Sequence, residues 1–371
     1  MKRIRLITLL LTVCLLVCSC GNTEAENKND GVYTMTEMEG KYKTQGRTIL
    51  YEEGLALLST ADSFEFNANC EGKVSMNLLC EALTFTEELR EDPEGYTAAD
   101  CYFTAYIDGE RSETRYNIKK GRAEFVLCED IAKGEHNFRL VRQSEWEHGR
   151  VFLESVCFDG ELSEKPEDKE LYIEFIGDSI ATGFGNIPEE EHESAWGGHP
   201  VWQDGTQAFA YMSAEALDAD YSIVAIEGIG ASCGYWDFTM NEIYENYPRV
   251  LEKDYIYKPE RTADIVVIEL LSNDGANWRD AGLTIHDILD KGIELARMAK
   301  EKHPDAKIVF SPGVFPKQFE EKYREEFGGE ENGFYIVDLP MNTSGKSGHP
   351  DVEGQTMASE ALTNFIKEIT E

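Results

Sequence analysis

The sequence predicts two fold types in tandem: an antiparallel β-sandwich, then a parallel α/β sheet with helices on both faces. Three observations carry this. Residues from about 31 to 160 alternate apolar and polar at period two, with glycine turns between the runs. From Leu171 onward, apolar runs alternate with stretches of helical periodicity. Between them, Leu162 to Lys169 is polar and holds Pro166, as a linker does.

In the first part, Phe64, Phe66, Ala68 and Cys70 form one alternating set, followed by Met76, Leu78 and Cys80. Phe103, Ala105 and Ile107 form another, and Phe138 and Leu140 a further one. The turn signals are Asp108-Gly109, Lys120-Gly121 and Lys133-Gly134. No long amphipathic pattern interrupts them, which favours a sandwich of short strands. In the second part, buried parallel strands are predicted at Tyr172–Ile176, Ser222–Ile226, Ile265–Leu270, Lys307–Phe310 and Tyr335–Val337. Helical stripes lie at Phe209, Met212, Ala216 and Leu217, and at Ile285, Ile288, Leu289, Ile293 and Ala296 before Pro304. The last helix carries Ala358, Ala361, Leu362, Phe365 and Ile369.

The N-terminus reads as a leader. Lys2, Arg3 and Arg5 precede an apolar run, Leu6 to Val17, too short to span a bilayer. Val17-Cys18-Ser19-Cys20-Gly21 resembles a bacterial lipoprotein box, with Cys20 as the lipid-bearing residue. The expected organisation is a leader over residues 1–19, a tether over 20–30, the sandwich over 31–161, a linker over 162–170 and the α/β unit over 171–371. That places the protein in a bacterial cell envelope, exported or lipid-anchored, with the anchor as its only membrane contact.

The 371 residues carry 71 acidic against 35 basic side chains, a net charge of -36. Such a charge opposes binding to nucleic acid and to anionic lipid surfaces and suits a neutral substrate. Six cysteines lie beyond Cys20 (Cys70, Cys80, Cys101, Cys128, Cys157 and Cys233) without a CxxC pair, so neither a zinc site nor a particular bridge is predicted.

The chemistry-bearing residues sit where the predicted parallel strands end, which is where such sheets bind ligands. Ser179 follows Phe175-Ile176-Gly177-Asp178, a strand running into a sharp turn. A serine there can be a nucleophile once a base takes its proton, or simply a helix N-cap. Gly228 and Gly230 lie at a second strand end, Asn273 at a third, and His349 precedes the last helix. His199-Pro200 is a rival histidine, only 20 residues beyond the serine.

Phe175–Ile180 resembles the first sequence block of the SGNH (GDSL-like) hydrolases. The resemblance implies that Ser179 is the nucleophile and that its N–H joins the oxyanion hole. It implies a second oxyanion donor at the Gly230 N–H, with Gly228 the alternative for an alignment slipped by two, and a third at the Asn273 amide. His349 then matches the general base. Two positions depart from the family: Leu271 replaces the glycine of Gly-Thr-Asn-Asp, and Lys346 stands where an aspartate normally steadies the histidine. A Ser-His dyad is therefore expected, with a carbonyl or another group orienting His349.

The order of a jelly-roll-like β-sandwich and then an SGNH domain, with its flavodoxin-like sheet, resembles carbohydrate esterase family 2. That resemblance implies an acetyl esterase that removes O-acetyl groups from plant polysaccharide, xylan, mannan or glucomannan, without metal or other cofactor. Trp278, five residues beyond Asn273, is the candidate sugar platform; Trp196, Trp202 and Trp236 are read as core or loop aromatics. Two rival readings remain open. One is a degenerate hydrolase that binds glycan, which Lys346 and Leu271 favour. The other is an esterase for a different acyl substrate, such as lipid or acetylated cell-wall sugar.

Overall fold

The computed structural model of the chain describes residues 31–83, 100–188, 200–250, 252 and 254–370. The leader, Cys20 and the tether lie outside the described residues, as do Trp196 and His199. Residues from Gly31 onward form one compact unit.

Ten strands hydrogen-bond into one antiparallel sheet. Four long ones dominate it: β1 (Ser63–Glu81), β2 (Asp100–Ile107), β3 (Gly121–Arg142) and β4 (Arg150–Leu162). The order is β4-β1-β3-β2 through the middle, with shorter strands at the edges. Phe64, Phe66, Ala68 and Cys70 face inward, and so do Val74, Met76, Leu78 and Cys80. Both sets enter one apolar cluster with Phe103, Phe138 and Phe158, so the bent sheet wraps around a single core in sandwich fashion.

The expected turn at Asp108-Gly109 is present; both residues have positive φ, 51° and 83°, and link β2 to the two-residue strand Glu110–Arg111. Lys133-Gly134 is not a turn. It lies inside the 22-residue β3, where Gly134 pairs with Cys70 beside the register shifts of β1. Bulges bend the paired strands there, where the glycine had signalled a turn.

The second sheet is parallel, in the order β6-β5-β7-β8-β9, with β5 (Tyr172–Gly177), β6 (Asp220–Ala225), β7 (Ile265–Leu270), β8 (Lys307–Pro312) and β9 (Phe334–Ile336). The predicted runs match these strands to within two residues. Neighbouring residues bury to opposite faces. Phe175, Ile223 and Val267 meet α1 (Phe209–Ala216) on one face. Ile176, Val224 and Ile268 meet α2 (Ile285–Lys302) and α3 (Pro316–Phe327) on the other. The last helix, α4 (Val352–Thr370), packs beside α1 through Ala358, Leu362 and Ile366. Helix α3 has no counterpart among the predicted stripes, because its only buried residues are Phe319 and Tyr323.

The two sheets share their interior. Tyr106 and Val141 of the first, with Ala61 from the turn before β1, pack with Phe175 and Tyr221 of the second. Arg47, fully buried, crosses from the first part to Glu174 on β5 at 3.0 Å and donates to the Tyr244 carbonyl at 2.6 Å. Tyr244 Oη donates to Glu174 at 2.6 Å, and His303 Nε2 lies 3.2 Å from it. The Ala263 N–H donates to His303 Nδ1 at 2.9 Å, so Nε2 carries the proton that reaches Glu174. Burial alone would raise the Glu174 acid; the Arg47 charge and the His303 and Tyr244 hydrogen bonds outweigh it and hold it well below the usual carboxylate range.

Candidate active site

β5 ends at Gly177 because the chain must turn there: a Cβ would stand 2.6 Å from Ala181 Cβ and 3.2 Å from the Glu269 carbonyl oxygen. Asp178 then caps the short helix Ser179–Thr182, accepting the Ile180 N–H at 3.0 Å. Ser179 is thereby presented at the carboxyl edge of the sheet, only 5% exposed. Gln355 on α4 clamps this turn, donating to the Ile180 carbonyl at 2.9 Å and accepting the Phe209 N–H at 2.8 Å.

His349 comes from the loop before α4. Its Nε2 lies 2.8 Å from Ser179 Oγ, and its Nδ1 lies 3.2 Å from the Lys346 carbonyl oxygen. A carbonyl only accepts, so Nδ1 carries the proton and Nε2 turns its lone pair to the serine hydroxyl. The carbonyl fills the position of the missing acid. The Lys346 side chain turns elsewhere, its ammonium 4.3 Å from the centre of the buried Trp202 ring. Phe184 meets the His349 ring edge-on at 4.7 Å. Burial pushes the imidazole below its ordinary value, and the Lys346 and Ser347 carbonyls oppose that only in part.

The loop that holds the carbonyl is tight. Lys346 N–H donates to Gly185 O at 2.8 Å, and Gly345 N–H donates to His349 O at 2.8 Å. A Cβ on Gly345 would come within 2.5 Å of the Gly185 oxygen, and one on Gly185 within 2.7 Å of the Lys346 oxygen.

Asn273 lies in the short helix Ser272–Asn277 after β7. Leu271, in the family's glycine position, adopts a left-handed φ of 84° and is fully buried. Its packing in the helix-side core offsets a strain of roughly 1–2 kcal/mol. The Asn273 amide donates to Asp178 at 3.1 Å and to the Ile229 carbonyl at 2.8 Å. It therefore ties the serine turn to the Gly228–Gly230 loop, and both of its protons are engaged.

Gly230 accommodates no side chain: a Cβ would meet the Cys233 carbonyl oxygen at 1.9 Å and Asp274 Oδ2 at 2.5 Å. Asp274 gathers the rest of that loop, accepting the N–H groups of Ala231 at 2.9 Å, Ser232 at 2.6 Å and Cys233 at 3.3 Å. Gly228, with φ 74°, accepts the Tyr235 N–H at 2.9 Å instead. Among the described residues the Ser179 and Gly230 N–H groups meet no acceptor. Beneath them, burial lifts the Asp178 acid to about 7, the Ile180 N–H opposing and the Asp274 charge adding to the rise. Glu269, beside Gly177 in the sheet register, is pushed well up by burial and by Asp178.

A residue of the loop between β3 and β4 completes the site, and no spacing in the sequence announces it. Glu145, fully buried, accepts the Glu227 N–H at 2.7 Å and the Gln203 amide at 3.0 Å. Gln203 also donates to the Thr182 carbonyl at 3.2 Å and accepts the Glu145 N–H at 3.1 Å. One acid thus joins the loop of Gly230 to the turn of Ser179. Among the described residues the group with metal-ligand geometry is Glu145, Glu147 and His148, whose donor atoms lie within 4.8 Å of one another. Both Glu145 oxygens already accept N–H groups, so this set reads as a hydrogen-bonded junction.

Trp278 is half-buried against the helix-side core, with Phe315 edge-on at 6.4 Å and Arg279 over its ring at 4.5 Å. No contact joins it to Ser179 or His349 among the described residues. Tyr235 stands beside Gly228 and is 68% exposed. Trp236 is anchored to the Glu227 carbonyl at 2.6 Å and stacks on Phe238. All six described cysteines are unbridged.

No protein-family model matches the chain. Over 278 residues it is 32% identical to an acetylxylan esterase / glucomannan deacetylase of Cellvibrio japonicus, covering 67% of this chain and 74% of that one. A solved family two carbohydrate esterase from Cellvibrio japonicus superposes with a TM-score of 0.75, over 91% of this chain and 98% of that one, at 16% identity. This chain belongs to the family 2 carbohydrate esterases. The relation extends to the cellulase/esterase CelE of Acetivibrio thermocellus, 28% identical over 292 residues, or 73% of this chain. The chain spans only 34% of CelE, so what CelE does as a whole stays with CelE. As a family 2 carbohydrate esterase the chain has the expected fold: an antiparallel sheet, then an SGNH-type parallel sheet.

Proposed function

We propose that this esterase removes O-acetyl groups from plant cell-wall polysaccharide: xylan, mannan or glucomannan. The observation that carries the mechanism is the Ser179–His349 pair, 2.8 Å apart, with the other imidazole nitrogen held by a main-chain carbonyl. The relative that is 32% identical is named for two of these, xylan and glucomannan.

Ser179 Oγ attacks the acetyl carbonyl carbon as its proton passes to His349 Nε2. The carbonyl oxygen becomes an oxyanion, received by the N–H groups of Ser179 and Gly230 and by the Asn273 amide. For Asn273 this means releasing one of its two present acceptors, and Asp178 is the weaker at 3.1 Å. The tetrahedral species collapses, the C–O bond to the sugar breaks, and His349 returns the proton to the sugar oxygen. Water, deprotonated by His349, then cleaves the acetyl-serine and yields acetate. The exposed ring of Tyr235, beside the Gly228 loop, offers the sugar a face that half-buried Trp278 does not.

The protein works from the cell envelope, tethered through lipid on Cys20, with residues 31–161 and 171–371 as the sandwich and the catalytic part. Acetate release from acetylated xylan and glucomannan, by the protein and by Ser179→Ala, tests the reading. Release that survives Ser179→Ala overturns the mechanism. Release from neither substrate overturns the function.

A further inference from the structure

A second cavity lies at the other edge of the parallel sheet. It encloses about 660 Å³ and is bounded by Tyr172 and Asp220, the first residues of β5 and β6, and by the segment Tyr255–Arg261. Ser179 follows the opposite end of β5, about 20 Å away along a six-residue strand. The cavity is therefore separate from the esterase cleft. A neighbouring hollow of about 230 Å³ shares Lys43, Gln45 and Asp220 with it and prolongs it along the junction of the two sheets.

Its lining is aromatic and its rim is polar. Tyr42, Tyr172, Tyr255 and Tyr257 are half-buried there. Leu50 and Ile256 are 55% and 57% exposed in the same groove, two of the few large apolar side chains left at the surface. Two of the rings are fixed from behind. Arg47 stands 4.8 Å from the centre of the Tyr257 ring, and Arg249 stands 4.6 Å from that of Tyr255. Neither guanidinium lines the groove, although both rings do. Rings already fixed lose little freedom when a ligand stacks on them.

The charge of the groove departs from that of the chain. Against a net charge of -36, its lining holds four cations and three carboxylates. Several are paired within it, as Lys43 is with Asp220 at 2.6 Å and Arg261 with Asp220 at 3.6 Å. A lining this close to neutral repels neither sign strongly and offers both donors and acceptors. That pattern matches hydroxyl groups, while the ring faces match the C–H faces of a pyranose.

We propose that this groove is a second binding site for a neutral polysaccharide chain, holding the polymer at the edge of the sheet remote from Ser179. The occupant rests on the proposed polysaccharide esterase activity; the groove itself does not. The site would keep the enzyme on a chain while the cleft takes successive acetyl groups.

Titration calorimetry with deacetylated glucomannan and xylan oligosaccharides, which the enzyme cannot consume, tests this. Tyr255→Ala and the double variant Leu50→Glu/Ile256→Glu are compared with the parent protein, with thermal melting of each to establish that it is folded. The double variant changes only exposed positions. We expect two binding events in the parent, one of them weakened at least about tenfold in either folded variant. Binding that is unchanged in the folded double variant overturns the groove, as does a parent that binds one chain only, at the cleft. Acetate release by the same proteins reads the esterase separately. A parent that binds through the groove but releases no acetate removes the proposed function and leaves the groove standing.

Discussion

Glu145, in the loop between β3 and β4 of the antiparallel sheet, accepts the main-chain N–H of Glu227, at the start of the loop that carries Gly230, at 2.7 Å. The same side chain holds Gln203, which reaches the turn of Ser179 through the Thr182 carbonyl. A loop of the first part is thus built into the catalytic geometry rather than hung beside it. Burial, with Glu147 and Glu227 close by, pushes the Glu145 acid well up.

Glu145→Ala should reduce kcat more than it changes KM. The variant leaves the Glu227 N–H and the Gln203 amide without their acceptor, and both loops shift. A displacement near 1 Å in such a site costs about 10²-fold in rate. Glu145→Gln keeps one acceptor oxygen and should recover most of the activity. Steady-state kinetics on a soluble acetyl ester decide it; a Glu145→Ala enzyme with parental kcat would show that the junction does not position the site.

The pH profile follows from the state of His349. Its base form must be neutral, and burial sets its pKa below the ordinary histidine value of 6.5. Activity should therefore be complete above that value and fall only as pH drops through the lowered pKa, because protonation removes the base. A kcat/KM profile whose acid midpoint lies above 6.5 would mean that an anionic partner steadies the imidazole after all.

The main chain at position 346, not its side chain, should matter. Lys346→Ala removes the ammonium from the Trp202 face and leaves the carbonyl in place, so kcat should stay within about threefold of the parent, the cation–π contact being worth about 0.5–1 kcal/mol of local stability. Gly345→Ala places a methyl group 2.5 Å from the Gly185 oxygen and must move the carbonyl that holds Nδ1. Its kcat should fall by about 10²-fold, as misplaced catalytic groups do. Comparable rates for the two variants would refute the carbonyl's role.

What the sequence disclosed and what it hid divide along a physical line. The five parallel strands were legible because both faces are buried, so each reads as an apolar run between polar loops. Ser179 and His349 were legible because they sit at strand and helix ends with distinctive neighbours, and the structure brings them together. Helix α3 was not: with only Phe319 and Tyr323 buried, its stripe drowns in charged residues. Lys133-Gly134 misled because a glycine that ends a strand and one inside a bulged strand look alike locally. The left-handed Leu271 breaks the glycine rule for such turns, and only its core packing explains it. Glu145 gave no signal at all, since its partners lie 58 and 82 residues away.

The buried network around Glu174 should make folding sensitive to Arg47 and to acid. Arg47 and Glu174 are both fully buried and paired at 3.0 Å. Arg47→Met leaves the Glu174 charge uncompensated in the interior and should cost about 3–5 kcal/mol of stability. Adding Glu174→Gln should restore part of it, because the orphan charge is then gone. For pH the sign is set by the depressed acid. Its folded pKa lies below the unfolded value near 4.5, so its contribution is full above that value. The contribution is lost as pH falls below it toward the lowered folded pKa. Urea unfolding of the parent from pH 7 to pH 3 should show stability declining below about pH 4.5, and the Arg47→Met/Glu174→Gln protein should show a shallower decline. Equal slopes for the two proteins would place the acid sensitivity elsewhere in this carboxylate-rich chain.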